Sequence, residues 1–181
     1  MNDTREEIVN LADKLVRERG FNGFSYADIS KALNIKNAAV HYYFPSKADL
    51  GLEVISRAVA SFRQITPTRK HLTWREQLDL FIDNYRQKQK HQDICLIGAF
   101  SSVSGGLSED MQRELKKLAS DSLNELTTIL TEGKEAGEFS FKETPEAKAY
   151  LIQSALIASL LLDRVLQNNV FDQIEQGLTG I

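Results

Sequence analysis

The sequence has little of three residue types that mark other classes of protein: one Cys, three Pro and ten Gly in 181 residues. A single Cys excludes an internal disulfide and a zinc site built on cysteine pairs, and it fits a reducing cytoplasm. The shortage of Pro and Gly disfavours an all-β sandwich, which needs many turn residues. These absences favour a mainly helical chain, for which we expect a cytoplasmic location.

The sequence shows no pattern that predicts an export segment, a membrane span or one of the usual enzyme motifs. Its charged start, MNDTREEIVN, has no apolar run before a cleavage site. The longest apolar stretch, 149–162, is shorter than the roughly 20 residues of a membrane span. Gly-rich phosphate loops and the HExxH and GxSxG motifs do not occur. We therefore expect no membrane partner, no metal, no cofactor and no catalytic residues, and we expect that the chain is not an enzyme.

Charge is distributed unevenly along a chain whose formal net charge is -3. Residues 29–75 contain eight basic and two acidic side chains, whereas residues 76–181 contain ten basic and seventeen acidic ones. An acidic chain with one basic band is typical of a protein that meets a polyanion through that band. A basic stretch that is merely solvated is the alternative.

The first third of the chain has the pattern of three helices that precede a fourth. Apolar residues at helical spacing predict a first helix over 4–19. A short second helix begins at Ser25, and Asn34 tolerates the left-handed conformation that ends it. A third short helix runs from about 37 to 44 and ends before Pro45. Two short helices behind a longer one predict a helix-turn-helix domain.

The third helix combines small residues at its start with hydrogen-bonding side chains at its end. Small leading residues let a helix backbone approach the DNA major groove. From the residue types we expect base-edge contacts from Lys36 and Asn37, thymine methyl contacts from Ala38 and Ala39, and phosphate contacts from Tyr42, Tyr43 and Lys47. Helix-turn-helix shapes also occur in proteins that never contact DNA. A helical small-molecule-binding or interaction module without sequence-specific DNA binding is therefore an alternative.

The stretch from Gly20 to Leu50 closely resembles the DNA-binding signature of TetR-type transcriptional regulators. Its most specific part is Tyr-Phe-Pro-Ser-Lys at 43–47, preceded by an Ile-x-x-Ala-Leu pattern about a dozen residues upstream. The resemblance covers about 4–60. It implies a repressor that binds a palindromic DNA operator as a homodimer and is released by a small-molecule effector. By position it places Lys36, Asn37, Ala38 and Ala39 at the bases, and Ser25, Tyr26, His41, Tyr42, Tyr43 and Lys47 at the phosphates.

The remaining two thirds of the chain is predicted to be a larger helical domain, in an all-α fold of about nine helices. We expect a helix-turn-helix DNA-binding domain over 1–50 with a linking helix over 47–62. A ligand-binding and dimerisation domain is expected over 63–181. Gly133 and Gly137 are expected to loosen and stop the long helix that follows Ser108.

The helix that begins at Thr144 is apolar nearly all round between 149 and 162. Such a helix needs cover on every side, and a second subunit is the simplest cover for the face that its own domain leaves open. Burial within a single subunit is the alternative. The expected dimer interface comprises Leu151, Ala155, Ala158, Leu162 and Phe171.

Apolar residues of the middle helices are candidates for an effector pocket, because small-molecule sites are mostly apolar with few polar groups. The expected lining comprises Trp74, Phe81, Tyr85, Ile97, Phe100 and Leu126, and the expected effector is hydrophobic or aromatic. Ordinary core packing is the alternative for each of them. A thiol-based redox sensor at Cys95, four residues after His91, is a further alternative, although a small buried Cys is more common.

Overall fold

The computed structural model describes residues 3–69 and 71–178, which form α-helices and short 3₁₀ turns without a strand. The 3₁₀ turns are Phe21–Gly23, Thr66–Arg69 and Ser104–Gly106. The nine α-helices of the described ranges are α1 (Asp3–Arg19), α2 (Tyr26–Ala32), α3 (Asn37–Tyr43), α4 (Lys47–Ile65), α5 (Trp74–Lys90), α6 (Leu96–Ser101), α7 (Glu109–Glu135), α8 (Pro145–Leu166) and α9 (Val170–Leu178). The predicted all-α fold is confirmed.

The chain divides into two compact units that do not follow the order of the sequence. Unit 1 comprises Met1–Ser61 with Leu96–Leu118, and unit 2 comprises Phe62–Cys95 with Ala119–Ile181. Helices α4 and α7 each run from one unit into the other. The predicted division of tasks between 1–50 and 63–181 stays a prediction.

Unit 1 has a core to which both of its sequence segments contribute. Phe100 on α6 lies with its ring 5.0 Å from that of Phe21. A Cβ added at Gly51 on α4 would lie 2.7 Å from both Met111 Cε and Phe21 Cε2, so the close approach requires glycine there. Side chains at most 1% exposed in this core include Ile8, Val16, Ile29, Val40, Leu50, Ile55, Phe100 and Met111. The helix-turn-helix region is therefore completed by residues far along the chain.

The turn between α2 and α3 has the left-handed residue that the sequence predicted. Asn34 adopts φ 52°. Its N–H donates to the Lys31 carbonyl at 3.3 Å, and the Ile35 N–H donates to the Ser30 carbonyl at 2.9 Å. This pair of bonds is the Schellman arrangement, which satisfies the last carbonyls of a helix. It fixes the direction in which the chain leaves α2 and enters α3.

Helix α7 corrects the expectation for Gly133. The helix continues through this residue to Glu135 and ends before Gly137, whose φ of 77° is left-handed. A Cβ at Gly133 would lie 2.2 Å from the Phe139 ring and 3.0 Å from Trp74 Cβ. Close packing, rather than a helix break, therefore explains the glycine.

Helix α8 is longer than its most apolar stretch suggested. Its 22 residues make it the single helix, within the ranges that the structure describes, with the length and composition to cross a membrane, and 33% of that apolar window is buried. The expectation that this segment is too short to span is therefore wrong. The helix packs one side against α5 and α9 within unit 2, and it leaves large apolar side chains such as Leu151 and Val165 exposed.

Phe171 on α9 is fully buried within its own chain. Asp163 Oδ1 accepts hydrogen bonds from the backbone N–H groups of Val170 at 2.6 Å and Phe171 at 3.3 Å, which starts α9 beside α8. An ion pair between Arg86 and Glu175 holds α9 to α5. The expectation that Phe171 lies at a dimer surface is wrong, because α9 turns this ring inward.

Candidate nucleic-acid interface

Helix α3 has one face in the core and another in solvent. Val40 is 0% exposed and Phe44, just after the helix, is 3% exposed. Asn37 and His41 are exposed, and Tyr42 is 81% exposed. The apolar residues four apart hold the helix to its scaffold, which leaves the amide, imidazole and phenol groups facing outward.

The predicted base-contacting residues lie together at the amino end of α3. Lys36 is the N-cap residue, and Asn37 begins the helix. Lys36, Asn37 and Ala38 are exposed, whereas Ala39 is half-buried. The small side chains leave the backbone of the first turn accessible, which is what close approach to a groove needs.

The predicted phosphate-contacting residues at the carboxyl end of α3 form an aromatic group. The rings of Tyr42 and Tyr43 are 5.2 Å apart and nearly perpendicular. The His41 ring lies 4.7 Å from that of Tyr26, and His41 Nδ1 is 3.4 Å from the Pro45 carbonyl oxygen. Two ring pairs, Tyr42 with Tyr43 and His41 with Tyr26, therefore lie at this end of the helix.

Ser25 is exposed at the start of α2 but takes part in the helix cap. Its N–H and its hydroxyl both donate to Asp28 Oδ2 at 2.7 Å. The hydroxyl bond, then the backbone bond, lowers the pKa of Asp28 below its ordinary value. The single hydroxyl proton of Ser25 is therefore already committed in the free protein.

Tyr26 does not face outward as predicted. The residue is 8% exposed, and its hydroxyl shares its one proton between the backbone carbonyls of Phe44 at 2.9 Å and Ser46 at 2.6 Å. Burial, followed by the nearby charge of Asp49, raises the pKa of Tyr26 to about 12. The expectation of a phosphate contact at Tyr26 is corrected, because the hydroxyl serves the turn after α3.

Lys47 is only partly accessible. Its ammonium group donates to the Phe24 carbonyl at 2.5 Å and lies 4.2 Å from the Phe24 ring centroid and 5.0 Å from that of Phe21. Burial lowers the pKa of Lys47, and the charge of Asp28 opposes that shift. The phosphate contact predicted for this residue stays a prediction, and the structure gives the ammonium a set of contacts within unit 1.

The basic band of the sequence is not one open patch. Arg57 pairs with Glu6 at 2.5 Å, Arg63 with Asp121 at 2.6 Å, and Arg69 with Glu125 at 3.3 Å. Lys70 lies outside the described residues. The exposed cations nearest to α3 along the chain are Lys31 and Lys36. Three of the eight basic side chains of the band are therefore paired with carboxylates.

The predicted pocket residues are not brought together in one unit. Phe81, Tyr85 and Leu126 are at most 4% exposed and belong to unit 2, as does the half-exposed Trp74. Ile97 and Phe100 belong to unit 1. Sequence reasoning missed a polar group beside Tyr85, where the Ser122 hydroxyl donates to Gln153 Oε1 at 3.3 Å.

Cys95 is 6% exposed, the environment of a small core residue rather than of an accessible thiolate. Burial strongly raises the pKa of the neighbouring Tyr85 hydroxyl.

In the part of the chain that the structure describes, no three His, Cys, Asp or Glu side chains are grouped so that they could hold a metal ion.

Known proteins share this sequence and architecture. A family model for bacterial regulatory proteins of the TetR family matches residues 8–54. The transcriptional repressor NemR of Escherichia coli is 24% identical over 99% of this chain and 92% of its own. The repressor NicS of Pseudomonas putida is 29% identical over 75% of this chain and 66% of its own.

Solved structures of similar fold align with nearly the whole length of this chain. A TetR transcriptional regulator from Legionella pneumophila is 29% identical with a TM-score of 0.82 and covers 98% of both chains. A TetR-family regulator from Agrobacterium tumefaciens, 24% identical, has a TM-score of 0.90 over 98% of this chain and 96% of its own.

The fold and the outward face of α3 are those of a helix-turn-helix domain. The chain is similar to regulators of the TetR family, whose family model matches residues 8–54. It is a DNA-binding transcriptional repressor rather than an enzyme.

Proposed function

We propose that this repressor acts in the cytoplasm as a homodimer that binds a palindromic operator and is released by a small hydrophobic molecule. DNA binding is assigned to unit 1. Dimerisation and effector binding are assigned to unit 2. The observation that carries the proposal is the solvent-facing side of α3, with Asn37 exposed and Tyr42 81% exposed on a helix anchored by Val40.

For DNA contact, the first turn of α3 enters the major groove. Lys36 and Asn37 supply donors for base edges, while Ala38 and Ala39 allow close approach and contact thymine methyl groups. His41, Tyr42 and Tyr43 contact phosphates on either side of the groove, and Ser25 joins them when its hydroxyl turns away from Asp28. This arrangement separates the residues that specify sequence from those that position the protein.

For dimerisation, α8 supplies the contact surface. Leu151, Ala155, Ala158 and Leu162 follow one another at spacings of four, three and four, which places them on one face. Leu151 is 57% exposed and Leu162 43% exposed. The large apolar side chains that are uncovered along α8 are Tyr150, Leu151, Leu161, Leu162, Val165 and Leu166. An apolar surface of this extent is suited to a second copy of the same helix.

For effector binding, unit 2 offers an apolar interior with a few polar groups, as small-molecule sites do. Phe81, Tyr85 and Leu126 supply the apolar part. Ser122 and Gln153, which are 6% and 5% exposed, supply hydrogen-bonding groups beside Tyr85. A ligand that binds one arrangement of the dimer more tightly than the other shifts the repressor toward that arrangement.

The experiment is selection of bound sequences from a random duplex library with the purified full-length protein. The proposal predicts an enriched palindrome whose half-sites are one helical turn, or a multiple of it, apart. Repeating the selection with Asn37→Ala should change the preferred base at one position in each half-site. Enrichment of no sequence, or of a motif without two-fold symmetry, would contradict the proposal.

A further inference from the structure

Two side chains make three reciprocal hydrogen-bond contacts between the chain that enters α2 and the chain that leaves α3. The Tyr26 hydroxyl shares its one proton between the Phe44 and Ser46 carbonyls, at 2.9 and 2.6 Å. The Lys47 ammonium donates in the opposite direction, to the Phe24 carbonyl at 2.5 Å. Each of the two segments therefore provides one side-chain donor and at least one backbone carbonyl as acceptor.

These bonds lie in surroundings that strengthen them. Tyr26 is 8% exposed, and a hydrogen bond shielded from water is costly to break without a replacement partner. The Lys47 ammonium lies against the Phe24 and Phe21 rings at 4.2 and 5.0 Å, where the ring faces stabilise a cation. Both side chains are thus held in place before DNA arrives.

We propose that Tyr26 and Lys47 form a clasp that positions α3 for operator recognition, and that neither acts mainly by contacting phosphate. This inference rests on the proposed function of α3 in reading the operator. Residues 24–26 and 44–47 are the two segments that the clasp joins. Tyr26 and Lys47 are positioning residues.

The clasp has a physical task because α3 is short. Its seven residues form about two turns, too few for a helix to persist without tertiary contacts. The Asn34 turn fixes its amino end, and the clasp fixes the turn at its carboxyl end. Recognition of base edges requires placement within about 0.5 Å, so loosening the carboxyl end reduces discrimination before it reduces general attraction to DNA.

The first test is Tyr26→Phe, which removes one hydroxyl and keeps the ring against His41. We expect about a tenfold loss of affinity for the selected operator, unchanged affinity for a shuffled duplex, and an unchanged dependence of operator affinity on salt. Equal losses for both duplexes would indicate a phosphate contact and overturn the clasp. An unchanged operator affinity would also overturn it.

The second test compares two substitutions of Lys47 that both remove the charge. Lys47→Gln keeps a donor for the Phe24 carbonyl, whereas Lys47→Met does not. The clasp predicts that the Gln variant binds the operator several-fold more tightly than the Met variant, and that both keep the salt slope of the parent protein. A phosphate role predicts equal losses and a salt slope flatter by about one unit per half-site, which would overturn the proposal. This pair decides the matter if Tyr26→Phe does not fold.

The matched control is Gln77→Met in unit 2. Gln77 is 8% exposed and its Nε2 donates to the Leu72 carbonyl at 3.1 Å, so its loss also removes a buried side-chain bond to the backbone. We expect lower thermal stability and unchanged operator affinity. An equal loss of operator affinity in this control would mean that general destabilisation, not the clasp, is being measured. Asn37→Ala in parallel tests the role of α3, so failure of the clasp is distinguishable from failure of the proposed function.

Discussion

Helices α3 and α8 both leave one face uncovered by their own chain, and the two faces differ in chemistry. The uncovered side of α3 presents Asn37, His41 and Tyr42, on a helix of seven residues held by its neighbours. The uncovered side of α8 presents large apolar groups, including Leu151 and Leu162, on a helix of 22 residues. Exposure alone therefore does not define a partner. The chemistry of the exposed side favours nucleic acid in one case and a second protein surface in the other.

The largest expected effect comes from charging the α8 face with Leu162→Glu. A carboxylate buried against its own copy should weaken the dimer by at least about a thousandfold, or about 4 kcal/mol, and operator affinity should fall with it. Sedimentation and operator binding provide the measurements. The control is Leu80→Glu on α5, since Leu80 is 40% exposed against 43% for Leu162. If the dimer persists in Leu162→Glu, α8 does not form the interface and the proposal for dimerisation is contradicted.

The next largest effect is expected from Phe171→Ala. Comparison with Leu151→Ala distinguishes a buried apolar residue of unit 2 from an exposed one. Because Phe171 is 0% exposed, the cavity should lower the free energy of unfolding by about 3 kcal/mol or more, even at concentrations where the protein is monomeric. Leu151→Ala should instead weaken dimerisation and leave monomer stability nearly unchanged. Urea unfolding at two protein concentrations distinguishes these effects. Equal behaviour of the two variants would mean that Phe171 also serves the interface.

A smaller and more selective effect is expected from Asn37→Ala. Loss of a bidentate contact to a base should cost about 1–3 kcal/mol at one position of each half-site, without a change in salt slope. Binding to operators with single base changes is the measurement. Asn22→Ala is the control, because Asn22 is an exposed asparagine of the same unit that lies outside α3. If neither substitution changes the preferred bases, residues other than Asn37 read the sequence.

Many of these features follow from local sequence, and others do not. The bounds predicted for α1 to α4 are close to the observed ones, and Asn34 was predicted to be left-handed because few residues tolerate that conformation. Gly133 was misinterpreted because its reason is a tertiary contact with Phe139. The direction of Tyr26 was missed because its partners lie 18 and 20 residues away. Spacing shows which residues share a face, but it does not show which acceptor a buried hydroxyl meets.

The smallest predicted effect compares matched helix caps in the two units. Hydrogen bonds from Ser25 and from Thr73 lower the pKa values of Asp28 and Glu76 respectively. A lowered carboxyl pKa adds stability above the unfolded-state value, and this contribution is lost as pH falls through the folded-state value. Asp28→Asn and Glu76→Gln should each flatten the decline of unfolding free energy between about pH 4 and pH 2. Urea unfolding followed by the single Trp provides the measurement, and curves parallel to the parent would contradict it.

The central claim is that the first turn of α3 lies in the major groove of each half-site. The most direct measurement is DNA cleavage by an iron chelate attached to Ala38→Cys, in a Cys95→Ser background that leaves one thiol to label. The account predicts two cleavage centres within the half-sites of the selected palindrome, related by its two-fold axis and one helical turn or a multiple apart. Cleavage without that symmetry, or cleavage confined to flanking DNA, would contradict it.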